Sequence, residues 1–292
     1  MQKTEDEIKK SNYERYLSPS SINLFLECPR KFWYKYIECL GEKINIHLVK
    51  GKAIHFALER LFDLKKLPNN GYKSFLKKEA EKYFGLRFKI KSLNLNEQEE
   101  KKHRQDSDHI INTFINRIAD QIEGLLINKK STCPTHAFNM LKPKLREHDL
   151  IDVNLKVRGI IDCIITDFNN KVTLVDYKTS NKYKNALPNN YTLQLAIYAI
   201  LYYQKERCLP EWLCINYLRF GESFYIKVTQ DLVNWARYEI TNVRNFICVN
   251  TKKEDYFKKE NKFCESCDFY DECFKKPENI LIKKNGEQQT LK

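Results

Sequence analysis

Four cysteines divided between the two ends of the chain constrain its fold more than any other feature. Cys28 stands alone in LFLECPRKFWYKYI, whereas Cys264, Cys267 and Cys273 form a Cys-x2-Cys-x5-Cys knot in FCESCDFYDECF. Any fold in which these sulfurs meet must bring both ends of the chain together across everything between them. The polar start, MQKTEDEIKKSNYERY, lacks the apolar stretch of a signal peptide, and no apolar run approaches the roughly 20 residues that span a bilayer. A cytoplasmic location is therefore expected, where cysteines are reduced thiols or metal ligands before they are disulfides. Six others, Cys39, Cys133, Cys163, Cys208, Cys214 and Cys248, are isolated and suit small buried apolar positions. Cys39 is the one competitor to Cys28 as a ligand. A 4Fe–4S cluster takes four thiolates and tolerates irregular spacing better than the paired cysteines of zinc ribbons. A single distant cysteine joined to an asymmetric triple thus favours the cluster over zinc. Its expected role is structural, because closing so long a loop restricts the unfolded chain.

Composition narrows the class. Of 292 residues, 42% are apolar and only 8 are Gly and 8 Pro, which describes an ordered globular chain. The formal net charge of +13 favours polyanionic partners, although solvated lysine-rich helix faces such as KKHRQ account for part of it.

After a flexible arm over 1–16, Ser18-Pro19 reads as a capped helix start, and Pro29 restarts the chain just past Cys28. GKAIHFALERLFDLKK is an amphipathic helix with Ile54, Leu58 and Leu61 on one face. Residues 66–140 read as a helical insertion. Residues 150–166 and 172–178 are β-branched and form a hairpin, apolar on both faces and so covered on both sides. A helix over 191–205, strands over 212–220 and 223–228 joined at Gly221, and a late helix lead to the cysteine knot. The tail, 276–292, is expected to be flexible. One domain over 17–275 remains, of α/β class.

The hairpin carries the chemistry. Side chains alternate along a strand, so Asp176 and Lys178 point the same way. A two-residue loop at Asn169-Asn170 would put Asp162 on the opposite face. A three-residue loop, Phe168 to Asn170, sets Asp162 opposite Asp176, with Asn170 left-handed. Facing carboxylates repel, and burying them costs several kcal/mol unless a cation compensates. Mg2+ or Mn2+ prefers such oxygen ligands and activates water toward a phosphate. Lys178 would orient or help deprotonate that water, or neutralise the phosphorus centre.

Glu147, Asp162, Asp176-Tyr177-Lys178, Gln194 with Tyr198 four residues on, and Gly51-Lys52-Ala53-Ile54-His55 together resemble the RecB-like branch of the PD-(D/E)XK nucleases. The likeness spans about residues 17–60 and 145–275. Pro is missing before Asp162, where Ile161 stands, but Gly159-Ile160-Ile161-Asp162 matches the Gly-x-x-Asp of that branch. The resemblance implies a restriction-endonuclease-like mixed sheet flanked by helices. It implies Asp162, Asp176, Lys178, Glu147, Gln194 and Tyr198 as catalytic residues, and His55, Asp162, Asp176 and the Tyr177 carbonyl around Mg2+ or Mn2+. The cysteines are similar to the iron–sulfur staple of AddB-type and CRISPR-adaptation exonucleases. A DNA exonuclease acting on single strands in repair or recombination follows, with a CRISPR-adaptation nuclease trimming spacer precursors as its close alternative. A non-catalytic DNA-binding scaffold is the alternative of another class, although such relics lose an Asp or the Lys that this chain keeps. The chain has no Gly-x4-Gly-Lys-Ser/Thr loop, so single strands would come from frayed ends or a partner helicase, or the chain would work beside a CRISPR integrase. Arg30, Lys31 and Lys35, among aromatics, are the candidate DNA contacts.

Overall fold

The computed structural model describes residues 4–88, 95–167, 169–181 and 187–274. Helices α1 (Glu5–Glu14), α2 (Pro19–Glu27) and α3 (Pro29–Phe32), the last running on into a π-turn at Trp33–Ile37, open the chain. They are followed by α4 (Ile46–Leu61), α5 (Tyr72–Arg87), α6 (Glu97–Ile127) and α7 (Pro134–Leu141). Three strands come next, β1 (Leu145–Asp152), β2 (Val157–Thr166) and β3 (Val172–Lys178). The chain then continues through α8 (Asn189–Glu206), β4 (Trp212–Tyr217), β5 (Glu222–Lys227), α9 (Gln230–Val249) and α10 (Tyr270–Phe274).

The strands form one mixed sheet in the order β1-β2-β3-β4-β5. Only the β3–β4 pair is parallel; a parallel step needs a crossover, and α8 supplies it. From Leu193 to Tyr202 every residue of α8 except Gln194 is buried, as befits a helix enclosed on all sides. It lies in the first core, with Ile22 and Phe25 of α2, Ile161 of β2, Leu213 of β4 and the Val233, Ala236, Ile240, Val243 and Ile247 stripe of α9. A second core, built from α4, α5, α6 and α7, includes Leu218 at the end of β4. The result is an α/β fold with a five-stranded mixed sheet flanked by helices. Among the described residues no helix is long and apolar enough to cross a membrane.

The β2–β3 register pairs Cys163 with Val175 and Thr166 with Val172. Asp167 N donates to the Lys171 carbonyl at 3.0 Å, and Asn170 takes φ +60°. Three residues therefore span the turn, of which Phe168 lies outside the described residues. The paired residues end at Cys163–Val175, one short of Asp162 and Asp176.

The strand β2 itself changes face at the acidic position. Ile161 and Ile164 belong to the same core, although strand residues three apart point to opposite faces. The β1–β2 pairing also breaks there: Arg146 pairs with Cys163 and His148 with Ile161, but the intervening Glu147 and Asp162 are unpaired. Glu147 has φ +42°, a left-handed strain for a side chain with a Cβ that is tolerated at functional sites.

Two expectations need correction. The segment 1–16, read as a flexible arm, contains α1, closed by a Thr4–Glu7 capping box. Only Ile8 and Asn12 of that helix are buried, too few to leave an apolar period in the sequence; Asn12 Nδ2 donates to the Ile247 carbonyl at 2.8 Å. Residues 150–166 are two strands rather than one. Asp152 Oδ1 accepts from the amides of Asn154 and Leu155, each at 2.9 Å, and this side-chain turn reverses the chain without glycine or proline. The tail over 276–292 lies outside the described residues.

Candidate active site

Between α4, the ends of the central strands and α8 lies a cleft of about 1130 Å³, whose lining includes His55, Glu147, Asp162, Asp176, Lys178, Gln194 and Tyr198. Two glycines let the helices come close enough to form it. A Cβ on Gly51 of α4 would stand 3.3 Å from Thr179 Oγ1, and one on Gly159 of β2 would stand 2.9 Å from the Tyr198 ring.

Ligand atoms of His55, Glu147 and Asp162 lie within 4.8 Å of one another. His55 Nδ1 is 3.3 Å from Asp162 Oδ1 and 4.0 Å from Glu147 Oε1. Its Nε2 is 3.1 Å from the Tyr177 carbonyl, so the tautomer that donates from Nε2 turns an Nδ1 lone pair toward both carboxylates. The Tyr177 carbonyl, expected as a metal ligand, thus already serves His55. Asp162 Oδ2 accepts from Tyr177 N at 2.7 Å, which holds Oδ1 toward the histidine.

Asp176, also expected as a ligand, stands outside this tight trio. Gln194 Nε2 donates to its Oδ1 at 2.8 Å, and Lys178 Nζ lies 2.7 Å from its Oδ2. The buried Oδ2 thus has the lysine ammonium as its partner. Gln194 Oε1 accepts from Lys178 at 2.9 Å, and its amide also donates to Tyr198 Oη at 3.0 Å. One side chain thereby orders the aspartate, the lysine and the tyrosine. Tyr191, which the sequence reading passed over, places its ring 4.6 Å from Lys178 Nζ; its position three residues before Gln194, on the same helix face, was the available signal.

The crowding of acids shows in their protonation. Burial, with Asp162 adding to it, pushes Glu147 up to about 7. Burial likewise pushes Asp176 up to about 6, against the pull of Lys178 and with Asp162 opposing ionisation. For His55, burial disfavours the cation, but Asp162, Asp176 and Glu147 outweigh it and raise the imidazole to about 9. Lys178 is also raised: burial works against its charge and Asp176 overcomes that. Excess negative charge and a mixed imidazole–carboxylate donor set fit a divalent cation.

The four cysteines line a separate cavity of about 100 Å³ with Lys31, Lys258, Lys259, Phe263, Phe269 and Phe274. Cys28 comes from the α2–α3 junction. The ends of the chain are also joined by Tyr34 Oη donating to the Glu272 carbonyl at 2.8 Å and Arg30 Nε to that of Tyr256 at 2.7 Å. Burial pushes the Cys273 thiol up, and the Tyr34 hydroxyl partly offsets this. Cys39 is exposed and does not line the cavity. Trp33 does not line the cavity and packs on Tyr256 with ring centroids 4.9 Å apart.

The basic residues expected to contact DNA do not line the catalytic cleft. Arg30 is occupied by the Tyr256 carbonyl, Lys31 lines the cysteine cavity, and Lys35 pairs with Glu42 at 2.7 Å. Arg30 and Lys31 thus turn toward the C-terminal segment. Lys52 and Arg87 line the cleft instead.

A family model described as the PD-(D/E)XK nuclease superfamily matches residues 16–274. Among solved structures, a Eubacterium rectale protein provisionally described as an exonuclease is 13% identical, with 98% of this chain and 97% of that one covered and a TM-score of 0.45. A second, the protein designated SSO0001, is 19% identical over 59% of this chain and 76% of that one, with a TM-score of 0.30. No curated protein matches.

Proposed function

The chain belongs to the PD-(D/E)XK nuclease superfamily, and from that premise we propose that it is a Mg2+- or Mn2+-dependent deoxyribonuclease that degrades single strands from an end. The observation that carries this reading is the meeting of His55, Glu147 and Asp162 within 4.8 Å, beside an Asp176–Lys178 pair that Gln194 locks in place. His55 Nδ1, Asp162 Oδ1 and a Glu147 oxygen would hold the ion, with the Asp176–Lys178 pair beside it. A bound divalent ion supplies Lewis acidity and lowers the pKa of its water.

The remaining roles belong to the chain's own groups. Lys178 is kept charged by Asp176, so its ammonium serves as an electrostatic partner for the phosphate rather than as a base. Gln194 and the Tyr191 ring hold that ammonium in place from two sides. Glu147, whose carboxyl is pushed up to about 7 in the metal-free site, would give up its proton to bind the ion. Single strands would be supplied by frayed ends or a partner helicase in DNA repair, since the chain has no phosphate-binding loop of its own.

For the cysteines the proposal is a structural 4Fe–4S cluster held by Cys28, Cys264, Cys267 and Cys273. All four line one cavity between the α2–α3 junction and the C-terminal knot, and their irregular spacing suits a cluster better than a zinc ribbon. The lysines around the cavity offset the charge of four thiolates.

End-labelled single-stranded DNA with Mn2+ tests the reading. Lys178→Ala is expected to lower the cleavage rate about 10²- to 10³-fold, the usual effect of removing one preorganised donor, with DNA binding largely kept. Equal cleavage by the variant and wild type would remove the proposed site.

A further inference from the structure

Phe56 follows His55 on α4 and lines the same cleft. Its side chain is half-buried, and among the described residues it belongs to neither apolar core. A phenylalanine kept for packing would be buried in one of them, where removal from water stabilises most. Its ring is flanked by cations instead, with the Arg60 guanidinium 5.4 Å and the Arg87 guanidinium 5.6 Å from the centroid. Lys52, Phe56 and Arg60 recur every four residues and form one stripe of α4, and Arg87 joins them from the last turn of α5. Lys52 and Arg87 line the cleft as Phe56 does.

We propose that Lys52, Phe56 and Arg87 form a stacking subsite for one unpaired nucleobase of the substrate strand, with the two cations on the flanking phosphates. The inference rests on the nuclease reading of the cleft and adds the device by which it would favour single strands. Every base has a π-face, so an aromatic wall selects unstacked bases with little regard to sequence. A duplex keeps its bases stacked inside and cannot offer one. A guanidinium can lie against a ring and still bind phosphate with its N–H fork.

The test is competitive inhibition of Mn2+-dependent cleavage of a labelled single strand by two unlabelled competitors of equal length and charge, one of thymidines and one abasic. For wild type the thymidine strand should inhibit about 5- to 100-fold more strongly, the range expected for one stacked base. Phe56→Ala and Phe56→Leu should collapse that ratio toward one by weakening the thymidine competitor alone. Phe56→Trp should keep it. Phe56→Leu retains the apolar bulk, so the comparison stands if the alanine variant fails to fold. A wild-type ratio near one, or an unchanged ratio in Phe56→Leu, overturns the subsite while cleavage still supports the nuclease. A wild type that cleaves nothing overturns the nuclease reading, and the subsite with it.

Discussion

At the scale of single residues, the proton affinities around His55 carry a testable consequence. Without metal, folding raises His55 from 6.5 to about 9 and Glu147 from 4.5 to about 7. Both folded values exceed the unfolded ones, so the folded metal-free chain holds more protons and its stability falls as pH rises. The histidine's share is complete below 6.5 and disappears as pH passes about 9; the share from Glu147 is complete below 4.5 and disappears through about 7. Ligand atoms must lose these protons to take a cation. The rise in melting temperature on adding Mn2+ should therefore grow between about pH 6 and about pH 9, and His55→Ala should flatten that growth. Thermal melts with chelator and with Mn2+ across this range check it, and an increment independent of pH would contradict the assignment of these ligands. That Asp176 and Lys178 share a face was legible from alternation along the strand, which is a local rule, whereas choosing them and Asp162 as the site rested on the resemblance. That Glu147 joins His55 and Asp162, while Asp176 turns to Lys178 and Gln194, depends on the kink where β1 and β2 lose their pairing.

Among the elements, α8 matters most to the site. It connects β3 to β4, buries nearly its whole circumference, and carries Gln194 and Tyr198 to the cleft. Its approach to β2 requires Gly159, since a Cβ there would stand 2.9 Å from the Tyr198 ring and 3.0 Å from Leu201 Cδ1. Gly159→Ala should cost about 1–3 kcal/mol, as overpacking in a closed core does. It should also slow cleavage by displacing Tyr198 and, through it, Gln194. Thermal unfolding and cleavage rates measured together would check this, and a variant of full activity would show that α8 has room to move. The helices α4 and α8 and the strands after them were legible from apolar period and turn residues. Two elements were not: α1, whose buried side is only Ile8 and Asn12, and the separate β1, whose turn relies on the carboxylate of Asp152.

For the molecule as a whole, the clasp is the longest-range device. Residues from the α2–α3 junction and the C-terminal knot meet at one cavity, and Tyr34 and Arg30 reinforce the junction. A link across so long a loop is worth a few kcal/mol in chain entropy. Cys264→Ser should abolish the visible charge-transfer absorbance of anaerobically purified protein and lower its melting temperature by several degrees. A colourless, zinc-loaded wild type would refute iron. By itself the sequence determined which residues have the chemistry for a metal, a lysine partner and a thiolate clasp, because residue type and strand period act over a few neighbours. Only the tertiary structure decided which carboxylates lie together and which cations line the cleft. Those choices rest on contacts between segments far apart in the chain, such as α4 with β3 through His55 and Tyr177, and no local pattern encodes them. Lys52 and Arg87 thus reach the cleft, whereas Arg30 and Lys31 turn to the terminal clasp and Lys35 to Glu42.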